Sequence, residues 1–153
     1  MNSAVILIAG ATGAGKTTYA IKLANELEAM RFSIDEWMAE LFYADMTGEP
    51  QFDWVMERIN RCEAQMWGIA QQVLHRGGSV IFDLGFTTRD HREKFRKLAS
   101  EAGHQAVLHY VDAPDSLRWE RVQQRNTERG ETYRVEVTRP MFDFMEELLE
   151  VPT

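Results

Sequence analysis

The sequence predicts an α/β fold in three layers, a parallel sheet of four to five strands flanked by helices. Three observations predict it. Apolar runs of strand length alternate with stretches of helical period along all 153 residues, the order that yields a parallel sheet. The first run, residues 4–9, is continuously apolar, as a strand covered on both faces must be. It passes straight into a glycine-rich turn and then into an amphipathic stretch, so strand, loop and helix follow without a spacer.

The elements follow in order. A first helix over residues 16–30 carries Ala20, Leu23, Ala24 and Leu27 on one face. A second strand covers about residues 30–34, with Asp35 at its carboxyl end, and a short helix runs to Tyr43. Asp35 also suits the N-cap of that helix. The Gly and Pro of residues 45–50 mark a loop. A long helix over about residues 53–75 shows a stripe of Trp54, Ile59, Met66, Ile69, Ala70 and Val73, slightly weakened by Gly68. Arg76-Gly77-Gly78 stops it. A third strand spans residues 79–83 and a loop residues 84–88. A helix over 89–101 is closed by Ala102-Gly103. The fourth strand covers 105–111. Pro114 suits the first turn of the next helix, which continues to about 128. A loop over 129–132 and a last helix from about 138 to 149 complete the chain.

The totals bound the function. The length predicts one domain, residues 1–153. At 44% apolar the chain fills one ordinary core, and no stretch reaches the roughly 18 apolar residues of a membrane span. Residues 1–3 lead directly into the first strand, which leaves no space for a signal peptide. Cys62 has no cysteine partner and reads as a core thiol. These features predict a cytoplasmic protein. A net charge of −7 disfavours a general nucleic-acid binder without excluding a local basic patch. The four histidines lack metal-ligand spacing.

The turn after the first strand reads Gly10-Ala11-Thr12-Gly13-Ala14-Gly15-Lys16-Thr17, followed by Thr18. It fits the pattern GxxxxGK(S/T) in the strand–loop–helix setting the motif requires. The chemistry explains the residue types. Inward-pointing backbone N–H groups and a helix N-terminus form a nest for a polyphosphate. Gly10, Gly13 and Gly15 permit the close approach. Lys16 supplies a point charge for the β- and γ-phosphates, and Thr17 a hydroxyl for Mg²⁺. The motif predicts nucleotide binding and leaves the reaction open.

Ligands of such sheets sit outside the carboxyl ends of the strands, which selects the other candidates. Asp83 ends an apolar strand and is the expected second oxygen ligand of Mg²⁺. Asp35 is the candidate base that takes the proton of an attacking hydroxyl. Arg118, Arg121, Arg125 and Arg129 fall within an arc of about 80° on one helix. They are read as a lid over the transferring phosphate, within a lid helix and loop at about 114–137, with Glu120 and Glu128 as the partners of a merely solvated alternative. Arg121 and Arg125 are the candidate catalytic cations, and Arg118 and Arg125 candidate nucleotide contacts. Residues 89–97 form a mixed charge run read mostly as a solvated helix face, with Arg89 a candidate acceptor contact beside Asp35 and Asp83. Trp37, Phe42, Tyr43, Phe52 and Trp54 are either core or the lining of an acceptor pocket.

These motifs in this order resemble the small P-loop kinases, the group of chloramphenicol phosphotransferase, zeta toxins and the kinase domain of polynucleotide kinase, and within it bacterial ATP-binding proteins with no settled substrate. The resemblance rests on residues 10–17, on Ser33-Ile34-Asp35, on Val80-Ile81-Phe82-Asp83 and on residues 118–125. It implies a five-stranded parallel sheet, ATP with Mg²⁺, and transfer to a hydroxyl, with Asp35 at the base position and Arg121 and Arg125 as lid arginines. The chain departs from the group in ending just after its last helix, where a fifth strand and an adenine-contacting loop are usual. Other classes fit less well. There is no Asn-Lys-x-Asp guanine motif and no Leu-Ser-Gly-Gly signature, and the chain is too short for an ordinary oligomeric AAA+ motor module. The expected function is an ATP-dependent kinase of a small hydroxyl-bearing molecule. A polynucleotide 5′-hydroxyl kinase and a non-catalytic ATP-binding regulatory module are the alternatives. Oligomeric state is not specified by these features.

Overall fold

A computed structural model describes residues 3–49, 51–128 and 136–152. The chain runs β1 (Val5–Ala9), α1 (Lys16–Leu27), β2 (Met30–Ser33), α2 (Ile34–Leu41), a 3₁₀ turn at Tyr43–Asp45, α3 (Phe52–His75), β3 (Val80–Gly85), α4 (Arg89–Glu101), β4 (Ala106–Tyr110), α5 (Asp115–Glu128) and α6 (Arg139–Leu148). Among the described residues one sheet forms, with strand order β2-β3-β1-β4 and every pairing parallel. Four strands are therefore present, the lower of the two expected numbers. The loop expected over 129–132, Arg129 itself, Pro50, Met1, Asn2 and Thr153 lie outside the described residues.

The alternation of side chains along β1 builds both halves of the core. Val5, Leu7 and Ala9 face one side, where α2, α3 and α4 bring Met38, Cys62, Met66, Ala70, Phe95 and Ala99 against Phe32 and Phe82. Ile6 and Ile8 face the other side with Ile81, and α1 covers them with Ala20, Leu23 and Ala24. The layers are helix, sheet, helix. Cys62 is buried in the first layer, as a core thiol should be, and burial pushes it up from its ordinary pKa. No helix of the described residues is long and apolar enough to cross a membrane.

Local structure corrects several expectations. The cap of α2 is Ser33, whose hydroxyl accepts from the Glu36 amide; Asp35 stands inside the first turn, where its charge favours the helix dipole. The helix therefore begins one residue after β2, and Asp35 does not serve as N-cap. Pro114 lies just ahead of α5, its carbonyl accepting from the Arg118 amide at 3.0 Å. The deepest stripe of α3 is Cys62, Met66, Ala70 and Leu74 at four-residue steps, with Trp54, Ile59, Ile69 and Val73 half-buried beside it. The charge run of α4 is not uniformly solvated. Arg92 is buried and donates to the Phe86 carbonyl at 2.8 Å. His91 meets the buried Glu63 carboxylate at 2.8 Å, with Lys94 at 3.5 Å from its other oxygen.

Phe82 is the centre of the larger core half. Its ring lies 5.3 Å from Phe32, 6.1 Å from Trp67 and 5.0 Å from Phe95. Removing a fully buried phenylalanine leaves a cavity that this many fixed neighbours cannot close. Phe82→Ala is expected to cost about 3–5 kcal/mol, lowering the thermal midpoint by about 10 °C, as read by denaturant and thermal unfolding followed by circular dichroism.

Candidate active site at the carboxyl edge of the sheet

Parallel pairing places the ends of β1 and β3 side by side, with Ile8 opposite Asp83 and Ala9 opposite Gly85. The register slips there, so Leu84 is an extra residue on β3. Such a bulge bends a strand next to a site it must shape. From β1 the chain enters the phosphate-binding turn. Gly13 has φ +80°, and a Cβ on it would stand 2.5 Å from the Arg118 carbonyl oxygen, so only glycine lets the turn lie against the backbone of α5. Gly15, at φ +96°, is the N-cap of α1. The turn thus opens directly onto a helix N-terminus, the arrangement that favours anions.

Lys16 folds back on this turn. Its Nζ donates to the carbonyls of Gly10 at 2.8 Å and Ala11 at 3.0 Å. Burial pushes its pKa below the usual lysine value, and the carboxylates of Asp35 and Asp83 oppose that shift. Thr17 donates from Oγ1 to Asp83 Oδ2 at 3.1 Å. Asp83 is 5% exposed. Burial raises its pKa first and the charge of Asp35 second, against Lys16, the Thr17 hydrogen bond and Arg31. Asp35 is itself exposed on α2, and its charge also adds to the burial that raises the Tyr43 phenol. The sheet edge therefore brings Lys16, Thr17, Asp35 and Asp83 into one electrostatic unit. Ala11, Thr12 and Ala14 complete the turn, with the Ala14 amide donating to Ala11 at 3.1 Å. Thr18 is exposed at the next position.

The arginines of α5 divide. Arg118 is buried and held: Nε donates to Ala113 O at 3.0 Å, Nη1 donates to Thr12 O at 3.4 Å and pairs with Glu146, and Nη2 lies 3.9 Å from Asp115. Glu120 and Glu128 are not its partners. Arg121 is exposed and leans on the turn, with Nη1 donating to Gly13 O at 3.4 Å and Ala14 O at 3.3 Å. Arg125 is half-buried and close enough for its charge to depress Lys16. Arg89, at the start of α4, is exposed and is not drawn into this unit by any hydrogen bond or ion pair among the described residues.

Two residues of the site, Arg31 and Phe86, had no role of their own assigned from sequence, although Phe86 lies in the stretch from Asp83 to Arg89 that the strand-edge rule selects. Arg31 of β2 spans Glu36 and Asp83, the latter at 3.4 Å, and reaches the same carboxylate oxygen, Oδ2, that takes the Thr17 hydroxyl. Its only signal was a charge inside an otherwise apolar strand. Phe86 takes a left-handed backbone, φ 45°, which for an aromatic residue costs roughly 1–3 kcal/mol. Arg92 on its carbonyl, and His91 and Phe95 on its ring at 4.5 and 5.2 Å, hold it there. The loop leaving Asp83 is thus fixed in shape.

The donor set fits Mg²⁺. A hydroxyl and a carboxylate, both hard oxygens within 3.1 Å of each other, suit a small cation that draws its remaining ligands from phosphates and water. Among the described residues no group of three His, Cys, Asp or Glu side chains gathers to hold a metal alone.

Known proteins place this arrangement. A kinase candidate from Chloroflexus aurantiacus j-10-fl superposes with a TM-score of 0.74 at 19% identity, over 99% of this chain and 79% of that one. Kti12 from Chaetomium thermophilum, solved with ADP-AlF3, gives 0.72 at 19% identity over 97% and 81%. The Pnkp1/Rnl/Hen1 RNA repair complex gives 0.67 at 18% identity over 97% of this chain and 47% of that one. Identities this low establish the α/β fold and no more. No curated protein sequence matches the chain significantly. The family name differs from the kinase group that the motifs resemble, and length had counted against an oligomeric motor of the AAA+ kind. A family model described as an AAA domain matches residues 5–152, nearly the whole sequence, and the chain belongs to that family.

Proposed function

We propose that the protein is an ATP-dependent phosphotransferase that moves the γ-phosphate to a hydroxyl of a small molecule. The observation that carries this reading is the convergence of Lys16, Thr17 and Asp83 with a second carboxylate, Asp35, at one strand edge. A module that only binds nucleotide needs the first three. The fourth is what a hydroxyl acceptor requires.

In this reading the turn from Gly10 to Thr18 cradles the phosphates, and Lys16 exchanges its two carbonyl partners for phosphate oxygens. Thr17 and Asp83 would hold Mg²⁺, which when bound screens the charge of the polyphosphate. Asp35 orients the acceptor. As the hydroxyl oxygen bonds to the γ-phosphorus, the bridging P–O bond to ADP breaks and the hydroxyl proton passes to Asp35. Arg121 and Arg125, in a lid spanning about residues 114–137, meet the transferring charge. Arg118 reaches nucleotide only by leaving Glu146. Arg89 sits at the rim, where an acceptor enters. Kti12 being solved with ADP-AlF3 supports the nucleotide half, and the kinase candidate supports the reaction class.

The likeness to an RNA repair complex favours a second reading, a polynucleotide 5′-hydroxyl kinase. The net charge of −7 and the gathered carboxylates count against a polyanionic acceptor. A labelled oligonucleotide assayed over a salt series separates the two, because only the second reading gives salt-dependent transfer. Mg-ATP with a panel of nucleosides, aminoglycosides, phenicols and sugars tests the first. Tight ATP binding by calorimetry with no phosphorylated product from any acceptor would make the protein a nucleotide-sensing module.

Asp35→Asn is expected to lower transfer by about 10²–10⁴ while leaving the calorimetric affinity for Mg-ATP unchanged; wild-type turnover removes the base assignment. A second expectation concerns pH. Burial raises the folded pKa of Asp83 above its unfolded value. The folded state then holds the proton more tightly, so the ionised carboxylate counts against folding at neutral pH, and this penalty fades as pH falls through the raised value. Asp83→Asn should raise the thermal midpoint of the nucleotide-free protein at neutral pH, with the gain shrinking as acid approaches the ordinary 3.8. Scanning calorimetry across that range measures it.

A further inference from the structure

We infer that Arg118 and Glu146 are positioning residues for the phosphate turn: held by Glu146 of α6, Arg118 fixes the Thr12 peptide from outside and so aims the Gly13 N–H at the bound polyphosphate. This role rests on the nucleotide half of the phosphotransferase reading above and adds two residues to it. Neither side chain touches the nucleotide.

Three observations carry it. The first is that the carbonyls of the turn face cations one after another. Lys16 donates to Gly10 O and Ala11 O, Arg118 Nη1 to Thr12 O at 3.4 Å, and Arg121 to Gly13 O and Ala14 O. A trans peptide points its C=O and the following N–H in opposite directions. Holding Thr12 O toward α5 therefore turns the Gly13 N–H away from α5, to the side left for a phosphate. Backbone N–H groups make an anion nest only when they converge. A glycine-rich turn has little stiffness of its own, so its peptides need support from outside.

The second is which of these cations stays when a ligand arrives. Lys16 is wanted on the β- and γ-phosphates, and Arg121 is exposed and holds its carbonyls at long range, so both gain by moving to phosphate oxygens. Arg118 does not. It is 6% exposed. Its Nε donates to Ala113 O at 3.0 Å, and its Nη1 pairs with Glu146 as well as with Thr12 O. Its own backbone lies against Gly13. A buried guanidinium with its ion partner in place is expensive to pull out.

The third is how α6 grips it. Phe142 and Glu146 stand four residues apart, on one face of that helix. The Phe142 ring is fully buried and its centroid lies 5.5 Å from the Arg118 guanidinium carbon, so ring and carboxylate hold the fork together. The remaining acid near it, Asp115, is exposed and 3.9 Å away. Without the Glu146 carboxylate the guanidinium loses its close ion partner and is free to turn from Thr12 toward solvent. The Thr12 peptide then rotates more freely, and the Gly13 N–H is no longer aimed before the ligand binds.

The test is calorimetric titration of the full chain with Mg-AMPPNP and, separately, with inorganic tripolyphosphate and Mg²⁺, which lacks base and ribose. Arg118→Gln and Glu146→Gln are each expected to weaken both ligands by about 10-fold, as loss of a supporting residue does at a metal site. The double variant is no weaker than Arg118→Gln alone, because both residues act through one contact. Arg118→Lys restores part of the affinity. In the ligand-free protein the Gly13 amide resonance shifts in Glu146→Gln, a local change that lost stability alone does not produce. Asp143→Asn, which removes the exposed pair with Arg139 on the same helix, leaves affinity and resonance as they are. Affinity that holds or rises in Glu146→Gln while it falls in Arg118→Gln makes Arg118 a direct nucleotide contact and overturns the inference. A lowered thermal midpoint with both affinities unchanged overturns it too, as does a loss confined to Mg-AMPPNP. Because the titration needs no turnover, a wild type that binds but transfers nothing counts against the phosphotransferase reading and leaves this inference standing. A wild type that binds neither ligand overturns both.

Discussion

The structure depends on how it keeps two opposite charges, Lys16 and Asp83, out of water at the end of its central strands. The β1–β3 pairing leaves no alternative: with Ile8 opposite Asp83, the turn after β1 must open beside that carboxylate. Each charge loses hydration and needs partners. The protein supplies them from groups that can be exchanged. Lys16 rests on two backbone carbonyls, and Asp83 takes both the Thr17 hydroxyl and Arg31 on its Oδ2. Raised and lowered pKa values are the trace of incomplete compensation. A bound polyphosphate with its cation would satisfy both groups better than the protein does, so the same imbalance that costs stability favours the ligand.

Sequence carries the position of that charge pair at the strand edge but not the partners that hold it. Periodicity carried the architecture, and the residues 89–101 expected as helix are those of α4. The strand-edge rule then located Asp35 and Asp83, because a carboxylate at the carboxyl end of a parallel strand has few other places to face. Partnerships across the fold were hidden. Arg31 reaches Asp83 over 52 positions and Arg118 reaches Glu146 over 28. A helical wheel put four arginines on one face, yet it had no means to tell the pinned Arg118 from the leaning Arg121. The N-cap went to Ser33 rather than Asp35 for a similar reason: both are good caps, and where β2 ends decides between them. Arg92 looked solvated because its partner is a backbone carbonyl, which no side-chain pattern announces.

The last helix, which carried no functional expectation, turns out to join the parts of the site. Glu146 of α6 takes Arg118 of α5, Phe142 packs on Trp119 at 5.2 Å, and Phe144 meets Phe52 at the start of α3 at 6.1 Å. Just beyond α6, the Glu150 amide donates to Thr87 O at 2.8 Å, in the loop that leaves Asp83. One segment thus touches the base of α5, the loop after β3 and the start of α3.

These contacts bear on how the proposed lid on α5 would work. The first turn is clamped, since the backbone of Arg118 lies against Gly13 and its side chain is engaged on four sides. One turn further on, Arg121 is exposed and, among the described residues, makes two long carbonyl contacts at 3.3 and 3.4 Å, which a phosphate oxygen would outcompete. Arg125 makes no hydrogen bond or ion pair with any described residue, yet its charge is felt at Lys16. In the proposed reaction, the freedom to follow the transferring phosphate would therefore lie in the second half of the helix. The first half, with Arg118 held by Glu146, would set the distance from which Arg121 and Arg125 act in that reaction.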